Sequence, residues 1–581
     1  MKLRHVLVGF IMVTIAITTV FAYLTFQRRS TPIEHTPLSE LKELLSSSSG
    51  PPYFLYPEGM ELSDYLSAKE ISRTFEDFLH IRAFEYNYQV GDEYIDSRGL
   101  PKLEAIHQGN LVVLVGGPST QAAVKYYEDT KETLVVSKEN ATHFWLETRE
   151  GVVIPETLHT FENLDAHHDV FLVEFFKDKC DRYILILYGY GWRGTMLATL
   201  HFNRVIFPQI SDYDESYYIY NWVDSSDINQ TLTDEAEGGQ KYSVIQASVV
   251  SFANETIIRS FADAVHSRGL RMTWYVSKLN MEQTIFSLIK SYASYGDKIE
   301  LSFGNIFFNE LEPEKRLYYV DESMEAFKKA FGDYPSMVQS YYIDAYTLSY
   351  ISLWYPSVKG AITFVNHEVF GDQFKSAGAY YMPYYPSRYN TLVPGEGRDK
   401  INIVAFPFFQ RDITNSILNR RIVYNLSPQD GLMIVKDWRP YFRRLFAAFI
   451  NGWDQFGLAI YLIDLTWPFI PLEVIEEDLA QIQFEIESGN CTNVLDTNFV
   501  KWFRSEFEDS PNYRWAYEDP EQESFSSEWY FSPAVRIGYL NEFMFEMVVY
   551  PSKTYEAGYA RKISPYDNSL FMLFGDKERF E

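Results

Sequence analysis

Residues 243–305 read SVIQASVVSFANETIIRSFADAVHSRGLRMTWYVSKLNMEQTIFSLIKSYASYGDKIELSFGN, and this stretch decides the fold. Residues 243–252 are a short apolar run of the buried-strand type. Residues 254–269 carry apolar positions at helical spacing and stop at Gly269. The theme repeats, with a strand at 271–277, a helix at 281–296 stopped by Gly296, and a strand at 298–305. Further on come a helix at 320–332, a strand at 335–340, a helix at 345–355 and a strand at 359–365. INIVAFPFF (401–409), GLMIV (431–435) and GLAIYLID (457–464) are later strand candidates. Strand–helix alternation with short connections predicts an α/β fold, and residues 240–489 are expected to form a distorted (β/α)7–8 barrel.

Outward from the barrel, residues 6–26 hold no charge and are long enough to cross a hydrocarbon core as a helix, so 1–29 is expected to be a transmembrane signal anchor. A Ser/Pro-rich linker at 30–52 follows. Residues 53–232 are expected to be a second α/β domain. LVVLVGG (111–117), DVFLVEFF (169–176) and RYILILYGYG (182–191) predict strands of a parallel layer, with Gly turns and helical runs after the first and last. Residues 490–581 are expected to be a small β-rich segment. The Gly116–Gly117 turn lacks the spacing and the lysine of a phosphate loop. The adjacent His167 and His168 diverge and do not chelate one ion together.

The net charge of −28 speaks against nucleic acid, because phosphate recognition needs basic patches. Two cysteines, Cys180 and Cys491, supply neither a disulfide framework nor a zinc site. Five sequons (Asn140, Asn229, Asn254, Asn425, Asn490) fit an exported body anchored in the membrane.

Two resemblances rest on these motifs. NLVVLVGGPSTQAAV, DRYILILYGYGWRGTMLATLHF and ESYYIYNWVDSSD together resemble an α/β domain of archaeal surface-layer and related envelope proteins, over residues 105–229. That resemblance implies an envelope setting and surface-layer partners. Over residues 242–409 the chain resembles the polysaccharide deacetylase-like barrels and the glycosidases that share their distorted barrel. The resemblance implies a carbohydrate substrate. The family's first strand ends in paired Asp residues, whereas here it reads Ala247-Ser248-Val249-Val250-Ser251. Where the family places metal histidines, this chain has Ser302-Phe303-Gly304-Asn305-Ile306. Metal-dependent deacetylation by the family route is therefore not expected, and no metal or cofactor is assigned.

Other chemistry at the same barrel mouth falls to groups after predicted strands. Asp344, His367, Glu368, Asp412 (beside Arg411) and Asp464 are the candidate catalytic groups, serving as acid, base or nucleophile in glycoside hydrolysis. Residues 336–390 are dense in tyrosine, whose flat face and hydroxyl suit a sugar ring. Gln339, Tyr341, Asp372, Tyr384, Tyr385 and Arg388 are accordingly the candidate substrate-binding residues. Each acid also has a plain structural reading: Asp344 and Asp412 as helix caps, Asp464 as a partner of Arg439. The expected protein is a membrane-anchored, externally facing, metal-independent glycan hydrolase, or alternatively a noncatalytic glycan-binding or envelope-structural protein. Two carboxylates roughly 5–9.5 Å apart across one mouth would favour the hydrolase. Acids all consumed in caps or ion pairs would favour binding.

Overall fold

A computed structural model describes residues 36–48, 50–56, 60–87, 106, 109–164, 167–224, 241–251, 253–281, 284–306, 308, 311–364, 380–418, 424–432, 435–466, 470–521 and 525–549. Among them no helix is long and apolar enough to cross a membrane; the apolar run at 6–26 lies outside the described residues. The chain divides into two compact units, Met1–Thr160 with Val170–Asn221, and Phe161–Asp169 with Trp222–Glu581.

The first unit is built on a six-stranded sheet. Its strands are β1 (Tyr53–Tyr56), β2 (Phe84–Asn87), β3 (Leu111–Val115), β7 (His168–Lys177), β8 (Tyr183–Gly189) and β9 (Tyr217–Val223), in the order β2-β1-β3-β8-β7-β9. β1, β2, β3 and β8 run parallel, but β7 is antiparallel to β8. The expected all-parallel layer is thus mixed. β7 and β8 are joined by a tight turn through Asp181, at φ 57°, and a turn that short can only join antiparallel neighbours. Gly189 ends β8 where a Cβ would lie 2.3 Å from the backbone of Gly194, which lets the Trp192–His201 helix start hard against the sheet. A separate three-stranded antiparallel sheet, β4 (Val135–Glu139), β5 (His143–Thr148) and β6 (His159–Thr160), was not foreseen.

The second unit carries the barrel. Strands β10 (Lys241–Val249), β11 (Thr273–Ser277), β12 (Lys298–Ser302), β13 (Met337–Gln339), β14 (Gly360–Phe364) and β15 (Val404–Pro407) follow one another in space as in sequence. β16 (Gly457–Asp464) lies on the other side of β10, and every pairing is parallel. The short β17 (Thr492–Asn493) also pairs with β10. The sheet curls into a half-barrel. Ser248 on β10 donates to the Gln339 side chain on β13, three strands away, at 2.8 Å, and that bond must cross the concave interior. Ala247, Val249, Trp274, Val276, Leu301 and Val338 alternate to the opposite, helix-covered face and are buried.

β15 and β16 do not pair. A side chain bridges the gap instead. Gln410 donates to Leu458 O at 2.9 Å and accepts from Ile460 N at 2.7 Å. A neighbouring parallel strand would meet the same two groups with the backbone of one residue. Higher on the same edge, Gln429 donates to Asp464 O at 2.8 Å and accepts from Asp464 N at 2.7 Å. At the start of GLMIV, Gly431 belongs to the helical turn Pro428–Gly431; residues 433 and 434 lie outside the described residues. Proline suits the first turn of a helix and cannot donate to a ladder.

Strands β18 (Tyr513–Glu518), β19 (Ser526–Phe531), β20 (Val535–Leu540) and β21 (Phe543–Val549) form an antiparallel sheet in sequence order. Its buried row includes Trp515, stacked on Trp453 at 4.9 Å, and Trp529.

Candidate functional site

The pleat brings polar groups to one side of the half-barrel near the C-terminal strand ends. Ser277, Ser302, Gln339 and Ile362 share one register row, and Asp464, Ser248, Tyr275 and Glu300 the next row on the same face. Parallel neighbours in register point to the same face, so three serines, a glutamine and two carboxylates, Asp464 and Glu300, face the concave side. Asn280 follows β11 and is buried. It donates to Val249 O at 2.8 Å and to Ser277 Oγ at 3.0 Å. Its Oδ1, and Nε2 of the equally buried Gln339, meet no hydrogen-bond partner among the described residues. A primary amide holds two donors and an acceptor, so these two amides each have hydrogen-bonding capacity left over.

The predicted acids take other places. Asp344 caps the Ala345–Trp354 helix, accepting from Thr347 N at 3.0 Å and Thr347 Oγ1 at 2.7 Å, and it pairs with buried Arg316 at 3.4 Å. Asp412 caps the Ile413–Leu418 helix through Asn415 N at 3.1 Å. It also takes Asn415 Nδ2 at 2.7 Å and Tyr517 OH at 3.1 Å. The same Asn415 amide donates to Asp519 at 2.9 Å, so one NH2 bridges two buried carboxylates. Burial, then the Asp519 charge, raises the Asp412 carboxyl to about 7. Asp464 ends β16 and accepts from Thr466 N at 2.9 Å and Thr466 Oγ1 at 2.6 Å. Arg439, its expected partner, instead holds Glu477. Glu477 lies on the Leu472–Glu487 helix, within the reach of an exposed arginine.

Among the predicted binding residues, Gln339 sits in the concave row. Tyr341 packs edge-on against Phe408 at 5.6 Å. Tyr384 and Tyr385 are buried, donating to Thr391 O and, at 2.8 Å, to Phe507 O. Tyr380 donates to Pro511 O at 2.6 Å and Tyr513 to Pro383 O at 2.7 Å, so the tyrosine-rich run forms the joint with the C-terminal sheet. Arg388 pairs with Asp399 at 2.8 Å and lies over the Tyr389 ring at 4.3 Å. His367, Glu368 and Asp372 lie outside the described residues. The structure thus gathers Gln339 and Asp464 on the concave face and disperses Asp344, Asp412, Tyr384, Tyr385 and Arg388 into caps, joints and ion pairs.

At the opposite, N-terminal end of the half-barrel, Asp496 in the first turn of the Asp496–Glu506 helix accepts from Gln246 at 2.8 Å and Tyr275 OH at 2.9 Å. Burial raises Asp496 to about 6; it raises Glu300, which is in register with Tyr275 and accepts from Ser336 N at 2.8 Å and Met337 N at 2.9 Å, to about 7. Both are enclosed core acids.

Sequence reasoning named Ser248 and Ser302 only as departures from a family pattern and missed Ser277 and Asn280. One signal could have found them: a hydroxyl or amide closing an otherwise apolar strand. A divalent metal does not fit this donor set. Neutral hydroxyls and amides are poor ligands beside His and carboxylate, and no three His, Cys, Asp or Glu converge among the described residues.

No protein-family model matches the chain, and no curated protein does. Solved structures with some similarity include a proposed glycoside hydrolase/deacetylase from Parabacteroides distasonis, at 15% identity over 55% of this chain and 88% of that one, with a TM-score of 0.48. A family 4 acetyl xylan esterase from Clostridium thermocellum reaches 11% identity over 46% and 92%, with a TM-score of 0.25. A proposed polysaccharide deacetylase from Mycobacterium smegmatis reaches 11% over 48% and 94%, with a TM-score of 0.30. Likeness at this level assigns neither activity nor substrate. None of the three is a surface-layer protein, so that resemblance finds no counterpart among them.

Proposed function

We propose that the half-barrel is a carbohydrate-directed module that holds a glycan by neutral hydrogen bonds at the C-terminal ends of its strands. One observation carries this reading. The concave strand ends present hydroxyls and amides, with Gln339 Nε2 and Asn280 Oδ1 unused, while Asp344 and Asp412 are committed to helix caps. Sugars are recognised by such groups, because each ring hydroxyl both donates and accepts. The sequence resemblance to deacetylase-like barrels supports the substrate class. The uncharged run at 6–26 supports a membrane-anchored body facing outside.

A second reading, a metal-independent hydrolase, is favoured by Asp464, a carboxylate at a strand end in register with Ser248. Glu368 would then supply the partner acid.

The test uses the detergent-solubilised full chain with acetylated and unsubstituted xylan and chitin oligomers, with and without a chelator. Calorimetric binding without release of acetate or reducing ends supports holding. New reducing ends that are indifferent to chelator and abolished by Asp464→Asn or Glu368→Gln establish the hydrolase. Chelator-sensitive acetate release, or no binding at all, refutes both.

A further inference from the structure

The β4-β5-β6 sheet of the first unit is fastened to the six-stranded sheet through two carboxylates. Glu174, on β7, is fully buried, and its Oε1 accepts from Leu134 N and, at 3.3 Å, from Val135 N, where β4 begins. Its Oε2 has no hydrogen-bond partner among the described residues. Glu128, on the Ala122–Asp129 helix, accepts from Ser137 N at 3.2 Å, Ser137 Oγ at 2.9 Å and Tyr188 OH at 2.7 Å. A third tie is apolar: Phe144 of β5 packs on Tyr190, just past the end of β8, at 4.7 Å.

We infer that Glu174 is a proton-dependent latch: protonated, it lets the β4-β5-β6 sheet stay closed over the end of β8, and ionised, it drives that sheet off. A neutral carboxyl leaves Oε2 as a hydroxyl inside a dry joint, at modest cost. An ionised one buries a charge with one oxygen unsolvated and a second carboxylate, Glu128, as its neighbour. Opening the joint hydrates both. The ionisable groups around Glu174 are Glu128 on the helix, Tyr188 on β8 and Tyr217 on β9, and Lys138 of β4 acts on Glu128. Burial, the largest influence, lifts Glu174 from 4.5 to about 8, against the pull of its two backbone bonds. The sign is that of an acid held protonated by the fold. The closed joint is fully stable at low pH and loses stability as pH rises through about 8.

Hydrogen–deuterium exchange on the full chain from pH 6 to pH 10, corrected for intrinsic amide chemistry, tests the latch. Protection at 134–148 should fall up to tenfold per pH unit as pH rises toward about 8 and level off above it, while the β3 and β8 amides stay protected. In Glu174→Gln, which keeps the shape and the accepting oxygen, the fall should shrink to what Glu128 contributes. An unchanged slope in that variant, or a flat wild type, overturns the inference. Should Glu174→Gln not fold, the fluorescence of Trp145 on β5 in the wild type decides. A change that develops below about pH 8, levels off above it and vanishes in Trp145→Phe supports the latch, and its absence overturns it.

Discussion

Asp412→Asn is the sharpest probe of the barrel's electrostatics. Wild-type Asp412 is fully buried, shares the Asn415 amide with Asp519, and has its carboxyl raised from 3.8 to about 7. A tenfold change in an acid's ionisation constant corresponds to about 1.4 kcal/mol, so ionising Asp412 in place costs up to about 4 kcal/mol, an upper limit because part of the shift comes from the Asp519 charge. A raised acid contributes its stability below the unfolded value and loses it as pH climbs through about 7. The amide variant removes that loss. It also sets its own NH2 against the Asn415 NH2, which costs about 1–3 kcal/mol. Chemical denaturation should therefore find Asp412→Asn less stable than wild type at pH 5, with the gap closing or reversing by pH 8.5. Glu300 and Asp496 titrate in both proteins and cancel in the comparison. Parallel stability curves for the two proteins across that range would refute the argument.

Other outcomes follow from single contacts. Gln410→Leu removes both amide bonds to β16 and should cost about 1–3 kcal/mol, with faster hydrogen exchange at Ile460 than at the β10 amides. Asp344→Ala loses a cap and strands buried Arg316. It should lower stability by roughly 3–5 kcal/mol, and any glycan binding should fall only in step with the folded fraction measured by circular dichroism. Gly189→Ala drives a Cβ into the Gly194 backbone and should abolish soluble expression, whereas Gly151→Ala, with open space around it, should only strain its turn. Burial pushes the Cys491 thiol up to about 12, so iodoacetamide at pH 8 should label partly exposed Cys180 well before Cys491 in the native protein.

The half-barrel was readable because its strands are apolar runs and its helices end on glycines: Gly269 and Gly296 both adopt positive φ where the sequence predicts a stop. The mouth was harder to read. Tyrosine density does not say whether a ring faces a ligand or a core, and at Tyr380, Tyr384 and Tyr385 the hydroxyls go to backbone carbonyls. Asp344 and Asp412 were ambiguous for a similar reason: an aspartate between a strand and a helix occupies the position of both a catalytic acid and a cap. Nothing in residue type reveals that Gln410 will act as backbone, because its bonds depend on where the last strand lies. The buried sequon at Asn425, whose side chain accepts from Ser427 N at 2.7 Å, makes the same point for modification. A triplet reports chemistry, and burial decides whether anything can reach it.

The side-chain bridge between β15 and β16 bears on how such a barrel can change over generations. A ring closed by an unbroken ladder fixes its circumference, and altering it means inserting or deleting a whole strand. Here two glutamines, Gln410 and Gln429, hold the open edge of β16, so two codons control whether the perimeter is sealed, pried apart or ready to accept another extended segment. That places the width of the cavity, and with it the bulk of what enters, within reach of point substitution.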